Sequence, residues 1–139
     1  MMVPFIVYKP YSGESCMILR SGVCSPNNLS VQADPLNGEF VDDKEADPAL
    51  HYVVLAGSEV YIRDRPALAI LIDKTAILAN GVDAAIISYL PTASVVVVND
   101  VEQVVSGSTF TFKTYIAGTY VINITSLPHL VKTYMVIAT

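Results

Sequence analysis

Histidines, cysteines and clustered carboxylates most often carry chemistry, and this 139-residue sequence has few of them. Its two histidines are His51 and His129, and its two cysteines are Cys16 and Cys24. Neither histidine falls at ligand spacing from a cysteine, so no zinc site is expected. Neither has a serine or cysteine partner in a local motif, and no G-x-S-x-G, H-E-x-x-H or phosphate-cradling glycine loop occurs. His51, in HYVV, reads as a strand residue whose ring finds a partner, and His129, after Pro128 in the turn SLPH, is expected at the surface. Asp42, Asp43, Glu45 and Asp47 form the one acidic cluster. Loop carboxylates at alternate positions can hold Ca²⁺, but the glycine and terminal glutamate of an EF-hand are missing and Lys44 sits among them. A solvated loop is the expectation. Asn123-Ile124-Thr125 fits a glycosylation acceptor, which matters only on export. The sequence therefore assigns no catalytic, cofactor-binding or metal-binding residue.

Cys16 and Cys24 lie eight apart around an expected turn. They read either as a disulfide across a hairpin or as two small buried thiols. The opening MMVPFIVYKP has no basic region and no apolar run long enough for a secretory signal. The thiols are the expectation.

The elements that would hold such residues read as β throughout. Strands are expected at Val3 to Lys9 and Cys16 to Arg20, across the turn Tyr11 to Glu14, with Ser21-Gly22 ending the second. The stretch SPNNLSVQADPLNGEFVDD is rich in turn residues and is expected to hold short strands at Leu29 to Gln32 and Glu39 to Val41. KEADPAL has room for one helical turn before Pro48. His51 to Leu55 and Glu59 to Arg63 pair across Ala56-Gly57-Ser58. Arg63-Asp64-Arg65-Pro66 marks a boundary, giving an N-terminal module over 1–65 and a second domain over 66–139.

In that second domain Thr75, Ile77 and Ala79 share a face, and Asn80-Gly81 signals a hairpin or bulge. Strands follow at Ala84 to Tyr89, at Ser94 to Val98 with its β-branched run, and at Val101 to Val105 beyond the turn Asn99-Asp100. Ser106-Gly107-Ser108 turns the chain into TFTFKTY, with Phe110 and Phe112 on one side. TYVINIT and Lys132 to Ala138 close the domain. About seven strands at regular spacing, with no useful helical periodicity, predict an all-β chain: a small N-terminal β-module followed by an immunoglobulin-like β-sandwich. Tyr120 stands where such sandwiches place a tyrosine whose hydroxyl bonds back to nearby backbone. With no tryptophan and no Cys…Trp…Cys pattern, an antibody-type domain is excluded.

Charge narrows the partners. Charged residues make up 15% of the sequence and apolar ones 53%, against a usual charged share of roughly 25%. No apolar run reaches the ~20 residues of a membrane span, since Ala67 to Ile72 is broken by Asp73 and Lys74. Met1 to Pro66 carries 9 acids and 5 bases, and Ala67 to Thr139 only 4 acids and 3 bases. So bare a surface implies contact with neighbours. The net charge of −5 and the lack of a basic stripe argue against nucleic acid.

Two resemblances cover nearly the whole chain. DKTAILANGVDAAIISYLP and the later AGTYVINI resemble the opening and closing strands of bacterial-type immunoglobulin-like domains. VYKPYSGESCMILRSGVCSPNNLSVQA and EADPALHYVVLAGSEVYIRDRPAL resemble segments of small tail-associated proteins of tailed bacteriophages, of the forms Y-D-P-x-T-G-x-I-L-R-x-G-x-C-P and A-D-x-x-x-H-Y-V-x-x-G-x-V-x-x-R-P. Lys9 and Tyr11 depart from that pattern, where an aspartate and a small residue are usual, and this alters a turn rather than a site. The resemblance implies a non-enzymatic virion component of the tail region: a fibre, a fibre base or adaptor, or a decoration. It would reside in the host cytoplasm before assembly. Its partners would be other virion proteins and copies of itself, a homotrimer if it is a fibre. Edge strands such as Ser94 to Val98 would need covering. Two other readings remain: a fibre-assembly chaperone, and a module binding host-surface glycan through Tyr8, Tyr11, Tyr52 and Tyr61. No cofactor and no membrane insertion are expected.

Overall fold

In the computed structural model of the chain, residues 1–105 and 107–139 are described. They are all-β: thirteen strands, with helical turns only in three short 3₁₀ segments. The chain divides into two compact units, Met1–Pro66 and Ala67–Thr139.

Five antiparallel strands build the first unit: β1 (Val3–Ser12), β2 (Ser15–Cys24), β3 (Phe40–Asp42), β4 (His51–Ala56) and β5 (Glu59–Asp64), in the order β3-β1-β2-β4-β5. Gly13, at φ 55°, permits the tight β1–β2 turn. β2 does not stop at Ser21-Gly22 as the turn residues suggest; it runs on to Cys24. Gly22 is there for closeness, because a Cβ would come within 3.1 Å of the Phe5 ring on β1.

A bulge decides which face each side chain takes. Val7 pairs with Arg20 but Tyr8 pairs with Ile18, leaving Leu19 without a partner. One extra residue reverses the alternation of everything beyond it. Phe5, Val7 and Cys24 consequently form one buried cluster, and Ile6, Tyr8, Cys16, Ile18 and Val53 another.

The connection from β2 to β3 holds no strand at Leu29 to Gln32. It folds into three 3₁₀ turns, Pro26–Asn28, Ser30–Gln32 and Pro35–Asn37. Two of them begin at prolines, which fix φ and withhold a ladder donor. Leu29 and Ala33 from this connection pack on the first cluster, and Ala46 from the next connection packs on the second. KEADPAL makes a single turn, with Leu50 and His51 donating backbone hydrogen bonds to the Asp47 carbonyl.

The second unit is a two-layer sandwich. Its strands are β6 (Leu71–Ile72), β7 (Ala76–Ile77), β8 (Ala85–Ser88), β9 (Val95–Val98), β10 (Val101–Gln103), β11 (Phe110–Phe112), β12 (Gly118–Thr125) and β13 (Lys132–Ala138). One sheet has the order β10-β9-β12-β13-β7 and the other β11-β8-β6. Ile87 and Phe110 from the smaller sheet share a core with Val96, Ile122, Ile124 and Val136 from the larger. β7 lies parallel to β13, and the other pairings among the described strands are antiparallel.

Two expectations change here. Asn80-Gly81 does not close a hairpin, because β7 and β8 lie in different sheets. The Asn80 side chain accepts from the amides of Val82 and Asp83, and Gly81, at φ 72°, lies flat under the Tyr115 ring, where a Cβ would clash. The segment Ser94 to Val98 is no edge, since β9 is paired on one side with β10 and on the other with β12. The tight turn at Asn99-Asp100 is present, both residues having positive φ (46° and 68°), as a two-residue hairpin loop requires. The turn expected at Ser106-Gly107-Ser108 includes Ser106, which lies outside the described residues.

Candidate functional site

The residues with chemical potential are dispersed and tied into the scaffold. Nδ1 of His51 accepts from the Asp47 amide at 2.9 Å, and its Nε2 lies 3.4 Å from the Asp64 carboxylate. His129 is half-buried rather than surface-exposed, its ring and its amide both meeting the Ser126 carbonyl, at 2.9 and 2.8 Å. Asn123 lies mid-strand in β12, with its side chain accepting from the Thr133 hydroxyl at 2.7 Å.

Cys16 and Cys24 are both free and buried. They sit near opposite ends of one strand, about 26 Å apart at ~3.3 Å per residue, and the bulge assigns them to different clusters. A disulfide needs Cα atoms under about 7 Å apart. The two therefore cannot bridge within one chain, and burial pushes the Cys16 thiol pKa up, keeping it protonated.

The acidic cluster does not converge. Asp47 caps its own turn by accepting from the Ala49 amide. Burial, and after it a hydrogen bond with Asp43, pushes the Asp42 carboxyl up. Among the described residues no group of three or more His, Cys, Asp or Glu side chains is arranged around a cation. The most strongly held carboxylate is one the sequence reading passed over. Glu39 faces Arg20 at 2.7 Å, accepts from the Asp34 amide and from the Asn37 side chain, and is pulled down to a pKa of about 2, chiefly by Arg20. Arg20 also donates to the Gln32 carbonyl. Together these contacts pin the 3₁₀ connection to β2. A shallow concavity of about 320 Å³ beside it is lined by Tyr8, Ser30 and Glu39, but Glu39 is committed to Arg20 and offers no free base.

Among the described residues two open surfaces stand out. The first lies on the N-terminal sheet, where register puts Lys9, Met17, Tyr52 and Arg63 in one row across β1, β2, β4 and β5. Ser15, Val54 and Tyr61 make the next row. Tyr11 joins them: its hydroxyl bonds with Ser15, and Tyr52 and Arg65 lie within electrostatic range of it. Arg63 stacks over the Tyr61 ring at 5.1 Å. Of the four tyrosines singled out in the sequence, the structure brings together Tyr11, Tyr52 and Tyr61. Tyr8 is not among them; it is buried in the opposite cluster and stacks on Phe40. The reading from sequence missed Lys9, Met17 and Arg63 as companions, although the period of two in β4 and β5 carries that signal.

The second surface is the outward face of the five-stranded sheet. Val95, Val97, Val121, Met135 and Ile137 all alternate with core residues and point away from the sandwich interior. Met135 is 58% exposed and Ile137 51%. Asn123, Thr133, Thr125 and Thr119 fill the remaining positions of β12 and β13 on that face, and Glu102, paired with Val97, brings its charge.

Comparison of the chain with protein-family models, with curated proteins and with solved structures gives no match.

Proposed function

We propose that this chain is a non-enzymatic structural component of a tailed-phage virion, placed in the tail region and acting through protein–protein contacts. The observation that carries the reading is the outward face of the five-stranded sheet, with six apolar residues, Ala76 of β7 included, and one charge. Strands of eight, seven, four, three and two residues, at ~3.3 Å per residue and ~4.8 Å apart, give a planar footprint of ~380 Å². That is about half of the roughly 800 Å² per partner of a stable interface. The occupant proposed is a second copy of the same chain, because a face with so little charge meets its own copy without like-charge repulsion.

The resemblance of the first unit to phage tail-associated proteins supports the placement, through residues that do structural work. Gly13 makes the β1–β2 turn, Ile18 and Cys24 each fill a buried cluster, and His51 and Val53 lie on the strand that pairs with β2. The test is quantitative mass spectrometry of purified particles from cells producing this chain. Several copies per particle are expected. Its absence from particles whose tails are complete would overturn the structural role and point to an assembly factor.

A further inference from the structure

We infer that the open face of the N-terminal sheet bearing Tyr11, Tyr52, Tyr61, Lys9 and Arg63 is a binding platform for an acidic polysaccharide. Three observations carry this. Tyr52 and Tyr61 are diagonal neighbours on β4 and β5, since Tyr52 pairs with Arg63 and Tyr61 with Val54. Such neighbours stand about 7–8 Å apart, within the span of two consecutive sugar rings. Tyrosine rings have a negative face, which suits the positively polarised C–H groups on one side of a pyranose.

The cations are the second observation. In a chain of net charge −5, the platform carries Lys9 and Arg63, and neither forms an ion pair among the described residues. Arg63 is instead held over the Tyr61 ring, where its guanidinium stays oriented to take a carboxylate or sulfate in bidentate fashion. Glu59, at the end of β5, is the acidic residue of the same strand face.

The third observation is shape. The platform lies on the surface of a pleated sheet rather than in a cleft, so a chain extending past both ends can lie across it. This fits a polymer. Single-stranded nucleic acid shares that shape and also stacks on aromatic rings, but its binding relies on a long basic track, and two unpaired cations with Arg65 nearby do not make one.

The proposal is independent of the virion role, and its failure would leave that role standing. The test is isothermal titration of the full chain with a hexamer of galacturonic acid, with uncharged maltohexaose, and with a thymidine oligonucleotide of similar charge. The uronate hexamer is expected to bind most tightly, and more weakly as salt rises. Tyr61→Ala and Arg63→Ala are each expected to weaken binding by at least about fivefold. Tyr61→Phe, which keeps the ring, should bind like the parent. These side chains are exposed, and thermal melts check each variant for folding. Should an alanine variant fail to fold, Arg63→Gln takes its place with the same expected loss. Absence of uronate binding, tighter binding of the oligonucleotide, or uronate binding unchanged in Tyr61→Ala and in Arg63→Ala would each overturn the proposal.

Discussion

Glu39 shows how a single side chain anchors an irregular segment. Buried carboxylates are expensive unless their oxygens are satisfied, and here Arg20, Asn37 and the Asp34 amide satisfy them. The carboxyl is held at about 2 against an ordinary 4.5. A depressed carboxylate contributes stability that is fully present above its unfolded pKa and is lost as pH falls toward its folded one. Unfolding of the chain in urea should therefore become easier between about pH 4.5 and pH 2. Replacing Arg20 with Met should lower stability at pH 6 and shrink that acid-dependent loss. An identical pH dependence in parent and variant would contradict the assignment. None of this was legible beforehand, because Arg20 and Glu39 are 19 positions apart and the turn-rich stretch between them gave no register.

At the scale of elements, the strands with β-branched or alternating residues could be read directly. Val95–Val98 and Phe110–Phe112 fall within their expected segments, and Gly118–Thr125 begins one residue before the expected TYVINIT. Errors arose where a tertiary contact outweighs a local signal. Asn80-Gly81 has the composition of a hairpin turn, yet the chain changes sheet there and the Tyr115 ring covers Gly81. The β1–β2 bulge has no signature in composition, and it alone decides which cluster receives each cysteine. Tyr120 is the opposite case. Its hydroxyl donates to the Ile116 carbonyl at 2.7 Å, lies 3.1 Å from the Thr114 hydroxyl, and its ring packs on Phe112. A hydroxyl bonded back to upstream backbone at the start of a strand is the arrangement expected for Tyr120 from the sequence, and it ties the start of β12 to the segment crossing from β11. Tyr120→Phe should keep the ring packing and lose the hydrogen bond, at about 1 kcal/mol. In a unit of this size that is a fall in melting temperature of about 4–8 °C. An unchanged melting temperature would mean the bond contributes nothing net.

For the whole molecule, the distribution of charge is the feature that sequence and structure describe together. Seven charged residues in the last 73 left too few to cover two sheets, and the larger sheet shows the consequence on its outward face. Which residues form that face was not legible, because it depends on β9 lying inside the sheet between β10 and β12 rather than at an edge. The central claim is that this face is a contact surface for a second copy. Light scattering of the purified chain across a tenfold concentration range, beside Met135→Lys, tests it most directly. Met135 is exposed, so the substitution places a charge mid-face without disturbing the core. The account predicts a defined oligomer for the parent and a shift toward monomer for the variant. A parent that stays monomeric throughout, or a variant that associates as the parent does, would contradict it.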